Sequence, residues 1–153
     1  MIYTIIGTFR EDLLSGLSLY FGESLKKEVI LMHERRKHIE KDHGGEMTEA
    51  EMEEMLGALQ TVISDPDHVF EDERNKGSIL LIRRIKGTLN LNVVVRLALA
   101  RDGTGRENSV ITCFLLRDSN LVKLEKKHRP LPQRRHDGRP AGLLRQQERP
   151  RRL

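Results

Sequence analysis

Three histidines in one short segment are the side chains whose spacing first suggests chemistry. His33, His38 and His43 lie within HERRKHIEKDH, which has the composition of a helix and stops before Gly44-Gly45, a typical helix end. A zinc-protease pair needs histidines four residues apart on a helix. His33 and His38 are five apart, which turns them about 140° away from each other. We therefore exclude a metal site of this kind and expect neither a metal nor a cofactor.

His43 is the histidine best placed for proton transfer. It would lie at the carboxyl end of the helix, where the helix dipole favours the imidazolium form that a general acid needs. Met32, Arg36 and Ile39 precede it at helical spacing. Met32 and Ile39 could thus anchor the helix and leave Arg36 beside His43. On spacing alone, a solvated histidine at a helix end is the simpler interpretation.

A second group of polar residues lies on two predicted strands. In LNLNVVVRLALA, Asn92 and Arg96 alternate against the aliphatic residues and point to the opposite face. In SVITCFLLR, Thr112 would join that face if its alternating neighbours pack beneath the helices, namely Ile111, Cys113 and Leu115. A guanidinium and a hydroxyl on one face suit a phosphate. The alternative is a solvated arginine and a threonine that merely favours strands.

The most clearly encoded helix follows the histidines. Thr48 and Glu51 have the spacing of a capping box, and Asp65-Pro66 ends the segment. Between them, one apolar stripe at helical spacing predicts a face packed on a core. Its members are Met52, Met55, Leu56, Leu59, Val62 and Ile63.

Beyond this helix the hydrophobic period becomes that of strands. Extended segments are predicted at residues 27–32, 68–72, 78–86, 89–100 and 109–117. The last four, joined by tight connections, predict an antiparallel meander. The predicted fold class is α+β, with N-terminal helices on one face of a roughly four-stranded antiparallel sheet. Residues 1–26 are ambiguous, with a strand-like run and then a loose helix interrupted at Gly16.

Charge is distributed unevenly along the chain. The 27 basic and 23 acidic residues give a net charge of +4, yet residues 128–153 hold eight arginines against two acids. The remaining 127 residues therefore carry 19 basic and 21 acidic groups, a net charge of −2. Residues 119–153 are predicted to be a disordered basic tail. The tail would bind phosphate backbones or an acidic partner, or it has no role.

Several classes of protein are excluded by composition. No apolar run approaches the 18 residues that a membrane span needs. Cys113 is the single cysteine, so an internal disulfide and a multi-cysteine zinc site are excluded, and we expect it to be a buried small hydrophobe. The acidic residues near the N-terminus do not fit an export signal. We expect a cytoplasmic protein with no membrane partner.

The order of several short motifs resembles a known superfamily. KHIEKDHGG follows a strand, ISDPDHVFED ends the amphipathic helix, and SVITCFLL follows two hydrophobic strands. This order resembles the phage-associated members of the barnase/EndoU/colicin/RelE-like (BECR) nucleases over about residues 27–118. The resemblance implies helices followed by a four-stranded antiparallel sheet. It also implies cleavage of RNA without a metal, through attack of the 2′-hydroxyl on the adjacent phosphate.

The resemblance also implies roles for individual residues. The HI(x)3H pattern gives His38 and His43 as proton-transfer residues, and VIT gives Thr112 as a hydrogen-bond donor to the phosphate. Arg96 would stabilise the developing negative charge. Residues expected to bind the substrate are Arg36, Arg83, Lys86 and Asn92.

Three functions are consistent with these features. The first is an RNA-cleaving toxin or phage effector, with tRNA as one candidate substrate and an antitoxin or immunity protein as a candidate partner. The second is a non-catalytic module that binds nucleic acid or protein. The third is a structural protein of a phage or mobile element whose basic arm contacts DNA.

Overall fold

Four helices and seven strands make up the part of the chain that the structure describes. The structure is a computed structural model, and it describes residues 2–42, 48–103 and 105–131. The elements are β1 (Tyr3–Thr8), α1 (Glu11–Phe21), β2 (Glu28–Met32), α2 (His33–Asp42), α3 (Glu49–Ser64), β3 (His68–Glu71), β4 (Ser78–Lys86), β5 (Leu89–Arg96), a 3₁₀ turn (Ala100–Asp102), β6 (Asn108–Arg117), α4 (Asp118–Lys127) and β7 (Arg129–Pro130).

The strands form one sheet in the order β1-β2-β6-β5-β4-β3-β7. Strands β3 to β6 are the predicted antiparallel meander, and the α+β architecture is confirmed. The expected number of about four strands is wrong, because three more strands extend the sheet at its edges. β2 pairs with β6 in parallel, β1 pairs with β2, and the two-residue β7 pairs with β3. The local pattern at residues 27–32 predicted β2 as an extended segment. The pairing of the three added strands involves residues distant in sequence, which a local pattern does not specify.

Helix α3 is the element that the sequence specified most fully. The backbone N–H of Glu51 donates to Thr48 Oγ1, and the N–H of Thr48 donates to Glu51 Oε1, each over 3.1 Å. The capping box is therefore confirmed. The predicted stripe contributes four buried residues, which are Met52, Leu59, Val62 and Ile63. Gly7 permits close packing of β1 on this helix, because a Cβ there would lie 3.3 Å from Ile63 Cγ2.

The sheet has an apolar layer on each face. The larger layer lies under α1 and α3, and it also contains Ile39 of α2 and Cys113 of β6. Helix α1 runs without interruption through Gly16. The smaller layer lies on the other face under α4 and contains Phe70, Leu80, Ile82, Val94, Leu116 and Leu121. Burial of both faces explains why β4 and β5 have nearly continuous hydrophobic sequences.

Helix α4 is the main difference from the sequence-based prediction, which placed residues 119–153 in a disordered tail. Residues 118–127 instead form this helix, and the chain then returns to β3, where the N–H of Leu131 donates to the carbonyl of Val69 over 2.8 Å. Only residues 132–153 of that predicted tail lie outside the described part of the chain. In the ranges that the structure describes, no helix is both long enough and apolar enough to cross a membrane.

Candidate functional site

A cleft of about 440 Å³ lies between α4 and the sheet. Its floor is formed by sheet residues Leu80, Asn92, Val94 and Phe114. Helix α4 contributes Asn120, Lys123, Leu124 and Lys127. The loop after β3 contributes Asp72, Arg74 and Asn75, and His128 follows the end of the helix. This volume lies within the range of pockets that bind small ligands or single nucleotides.

Asn92 is the unusual residue of the cleft floor. It lies opposite Ile82 of β4 and Phe114 of β6, and it is 0% exposed. Neither its amide nitrogen nor its amide oxygen has a hydrogen-bond partner among the described residues. An unpaired buried amide costs roughly 1–3 kcal/mol, and such groups are rare in native proteins. Asn92 is therefore a ligand-binding candidate.

Asn90 shows how a neighbouring buried amide on the same strand is normally satisfied. It is 2% exposed, and its side-chain nitrogen donates to the carbonyl of Leu116 over 3.0 Å and to Asp118 Oδ1 over 2.8 Å. Asn90 therefore has a structural role, which is to join β5 to β6 and to the first turn of α4.

The same carboxylate fixes the position of α4 over the sheet. Asp118 accepts two hydrogen bonds from Arg84 Nη2, at 3.0 and 2.9 Å, in addition to the one from Asn90. Leu121 and Leu124 then pack onto the smaller apolar layer. Asn120, Lys123 and Lys127 lie three and four residues apart, which places them on one side of the helix, along the cleft.

The cleft has a positive rim. Arg74, Lys123 and Lys127 are exposed, and they outnumber the carboxylate of Asp72. That carboxylate already accepts hydrogen bonds from the N–H of Arg74, over 3.1 Å, and from Asn75 Nδ2, over 3.2 Å. Three cationic groups against this one carboxylate leave the rim with a net positive charge, which attracts a phosphate.

His128 supplies an imidazole to the cleft. It is held between the end of α4 and β7, and its Nδ1 accepts a long hydrogen bond of 3.5 Å from the backbone N–H of Glu73. When Nδ1 is an acceptor, the proton of the neutral ring lies on Nε2. Nε2 is then the atom that can exchange a proton with a ligand in the cleft.

The structure places the predicted residues Arg96 and Thr112 on the same sheet face as Asn92. Thr112 lies opposite Val94, and Arg96 lies two residues further along β5, opposite Ser109. A β-bulge between these two pairs also turns Ile111 toward the smaller apolar layer, whereas we expected it beneath the N-terminal helices. Arg96 and Thr112 are outside the cleft itself, beyond its floor residue Val94.

Arg96 is engaged by an ion pair. Its Nη2 donates to Asp102 Oδ1 over 2.7 Å. The pKa of Asp102 is lowered, mainly because the backbone N–H of Leu99 donates to its carboxylate and further because of Arg96. Arg96 Nε is buried and has no hydrogen-bond partner among the described residues. Nη2 is thus engaged by Asp102, and Nε is shielded from solvent.

Three predicted substrate-binding residues lie away from the cleft. Arg83 lies opposite Leu91, on the face covered by the N-terminal helices, and its Nη1 donates to Asp65 Oδ2 over 2.9 Å. Lys86 is exposed at the end of β4. Arg36 lines a separate pocket of about 70 Å³ beside β1.

The two predicted catalytic histidines are not part of the described cleft. His38 is exposed on α2 and is not among the described residues that line it. His43 lies outside the described residues. Over the described ranges, no three His, Cys, Asp or Glu side chains are grouped as a metal ion requires.

The residues that α4 and its flanking segments contribute to the cleft are absent from the sites predicted from the sequence. Lys123, Lys127 and His128 fall within the predicted tail, residues 119–153. One local signal could have indicated the helix, because Leu121 and Leu124 recur at helical spacing between Asp118 and the pair Lys126-Lys127.

Comparison with known proteins identifies the family. The model of the family described as phage-Barnase-EndoU-ColicinE5/D-RelE like nuclease3 matches residues 9–128, from just before α1 to just after α4. Searches of curated proteins and of solved structures found no match. The match covers more than half of the chain and includes every residue of the cleft. The chain therefore belongs to the phage-associated BECR-type nuclease family with this description.

Proposed function

We propose that this protein is an endoribonuclease that cleaves RNA without a metal ion and that the substrate binds in the cleft beneath α4. The observation that carries the proposal is the convergence of three cationic side chains and an imidazole around a buried amide in a nuclease-family domain. Cationic side chains stabilise a phosphorane, which gains negative charge during the reaction. An imidazole transfers protons near neutral pH.

The reaction that fits these groups is an internal transesterification. The 2′-oxygen of the substrate attacks the adjacent phosphorus, and the bond from phosphorus to the 5′-oxygen breaks. A base takes the proton of the 2′-hydroxyl, and an acid gives a proton to the leaving 5′-oxygen. The products are a 2′,3′-cyclic phosphate and a 5′-hydroxyl. Lys123, Lys127 and Arg74 would neutralise the phosphorane, and His128 Nε2 would serve as one of the two proton-transfer groups.

The residues predicted from the sequence enter this proposal as candidates for the remaining roles. His43, with His38 as the alternative, is the candidate that the sequence offers for the second proton-transfer group. Helix α2, which carries His38, packs its Ile39 into the larger apolar layer on the face opposite the cleft, so this role rests on the sequence motif and not on the geometry of the cleft. Thr112 would donate a hydrogen bond to the phosphate, and the guanidinium of Arg96 would stabilise the developing negative charge. Because Thr112 and Arg96 extend the face that begins with Asn92 and Val94, a phosphate chain leaving the cleft along β5 would reach them.

The test is incubation of the purified protein with tRNA and rRNA, with and without EDTA, followed by mapping of the new ends. We expect cleavage that persists in EDTA, with 5′-hydroxyl ends that a polynucleotide kinase labels directly. We expect His128→Ala to reduce the rate at least tenfold, because a positioned acid or base contributes about 10²–10⁴-fold. His43→Ala tests the second position separately. Loss of cleavage in EDTA, or 5′-phosphate ends, would contradict the mechanism.

A matched pair of lysine variants separates substrate binding from overall charge. Lys127→Ala removes a cation from the cleft, whereas Lys27→Ala removes an exposed cation that does not line it. We expect only Lys127→Ala to weaken RNA binding and to reduce the dependence of log Kd on log salt, by about 0.7. Equal effects of the two changes would place the binding surface elsewhere.

The cellular part of the proposal is an RNA-cleaving toxin or phage effector that acts in the cytoplasm, with an antitoxin or immunity protein as its partner. Growth arrest on expression that is relieved in His128→Ala or His43→Ala supports it. Salt-dependent RNA binding without cleavage would instead favour the non-catalytic module, and the residues that carry such binding can be located by deletion of residues 132–153.

A further inference from the structure

We infer that the floor of the cleft is a nucleobase pocket that selects adenine through the amide of Asn92, an inference that rests on the proposed RNA-cleaving function. Asn92 provides one donor and one acceptor at the same point, and neither has a partner among the described residues. An asparagine amide with both groups available matches the paired N6–H donor and N7 acceptor of adenine.

The rest of the floor favours adenine over the other bases. Leu80 and Val94 beside Asn92 are buried and apolar, so they offer no further hydrogen bond. On the edge that presents N6 and N7, adenine offers one donor beside one acceptor. Guanine offers two acceptors there, O6 and N7, and cytosine and uracil each offer a single polar group. Each of these three bases would leave one group of the amide unpaired against an apolar floor, which is costly.

Phe114 provides a surface on which the base can stack. It lies directly opposite Asn92 on β6, it is 41% exposed, and it lines the cleft. Stacking on an aromatic side chain contributes to the binding of any base. The amide of Asn92 is shielded from water, so a base reaches it only when a neighbouring side chain turns aside. Phe114 is the exposed apolar residue of the floor that can do so.

The cations of the rim would then bind the phosphate of the same nucleotide. Lys123 and Lys127 lie on α4 across the cleft from the sheet, and Arg74 lies on the loop after β3. A base on the floor and a phosphate at the rim use the apolar and the charged parts of one cavity. The nucleotide recognised in this way would adjoin the scissile phosphate and would determine the cleavage sequence.

The test is the binding of the four nucleoside 3′-monophosphates and of inorganic phosphate, measured by calorimetry with the full chain. We expect adenosine 3′-monophosphate to bind about tenfold or more tightly than the other three, because one bidentate base contact discriminates to this degree. Asn92→Leu should remove the preference and leave the competition by inorganic phosphate unchanged. Gln60→Ala, which changes an exposed amide on α3 outside the cleft, is the control and should keep the preference.

Phe114→Leu provides a second, independent measurement. It should weaken the binding of all four nucleotides, whereas Leu115→Ala, at the neighbouring exposed position outside the cleft, should have no effect. Equal binding of the four nucleotides, a preference for another base, or a preference that survives Asn92→Leu would overturn the inference. Cleavage without any base preference would also overturn the inference, but it would leave the proposed nuclease function intact. Adenine-selective binding without cleavage would refute the nuclease function alone.

Discussion

Replacing Asn92 by leucine should stabilise the protein, although it changes a fully buried residue. The amide lies between Ile82 and Phe114 and beside Leu80 and Val94, with no hydrogen-bond partner among the described residues. An unpaired buried amide costs about 1–3 kcal/mol, and an apolar side chain of similar shape removes that cost. Since about 1 kcal/mol shifts Tm by about 2–4 °C at this chain length, we expect Asn92→Leu to raise Tm by roughly 2–12 °C.

Asn90→Leu is the matched control, two residues away on the same strand. This change removes hydrogen bonds to the carbonyl of Leu116 and to Asp118, so it should lower the free energy of unfolding by about 1–3 kcal/mol. Urea denaturation, read by circular dichroism, measures both variants. If Asn92→Leu lowered stability as much as Asn90→Leu, the amide of Asn92 would be satisfied and our argument for a ligand site at this residue would fail.

Two further predictions concern structural features outside the cleft. Thr48→Ala should lower the free energy of unfolding by about 0.5–2 kcal/mol because it removes the capping box of α3. Thr61→Ala is the control and should change that free energy little, because the Thr61 hydroxyl donates to the carbonyl of Gly57 within the helix. Equal effects of the two changes in urea denaturation would contradict the capping argument. Asp102 has a lowered pKa in the folded protein, so its contribution to stability is present above the pKa of the unfolded chain and is lost as the pH falls through the folded value. Below about pH 4 the Tm of the wild type should therefore fall more steeply than that of Asp102→Asn, and parallel Tm curves would show that this carboxylate does not contribute.

Local patterns predicted much of the fold because each depends on a few neighbouring residues. Thr48, Glu51 and the apolar stripe of α3 act within one helix, and the structure confirms them. The alternation along β5 correctly placed Asn92 and Arg96 on the face opposite the larger apolar layer. Side chains alternate between the two faces of a strand with a period of two residues, so the face of each side chain can be predicted without knowing the partner strands.

The residues that the sequence-based analysis misplaced depend on contacts distant along the chain. Arg83 lies on a predicted strand, but its side chain is engaged by Asp65, which lies 18 residues earlier and contacts it only in the folded protein. Ile111 changes face because of a β-bulge, which adds a residue on one strand and shifts the alternation. The predicted tail wrongly included α4 because the stability of this polar helix comes from packing on an apolar layer of the sheet, and that packing is not visible in the local sequence.

For this protein, the sequence alone determined the α+β class, the central meander, the nuclease family and the face on which Asn92, Arg96 and Thr112 lie. Each of these depends on residue order and on the period of side chains along the chain. Only the tertiary structure decided that α4 folds back over that face and that His128 and two lysines reach a common cleft. It also decided that, within the described part of the chain, Asn90 has hydrogen-bond partners whereas Asn92 has none. Two asparagines of the same strand face look alike in sequence, and they differ because hydrogen bonding depends on which groups the fold brings within about 3 Å.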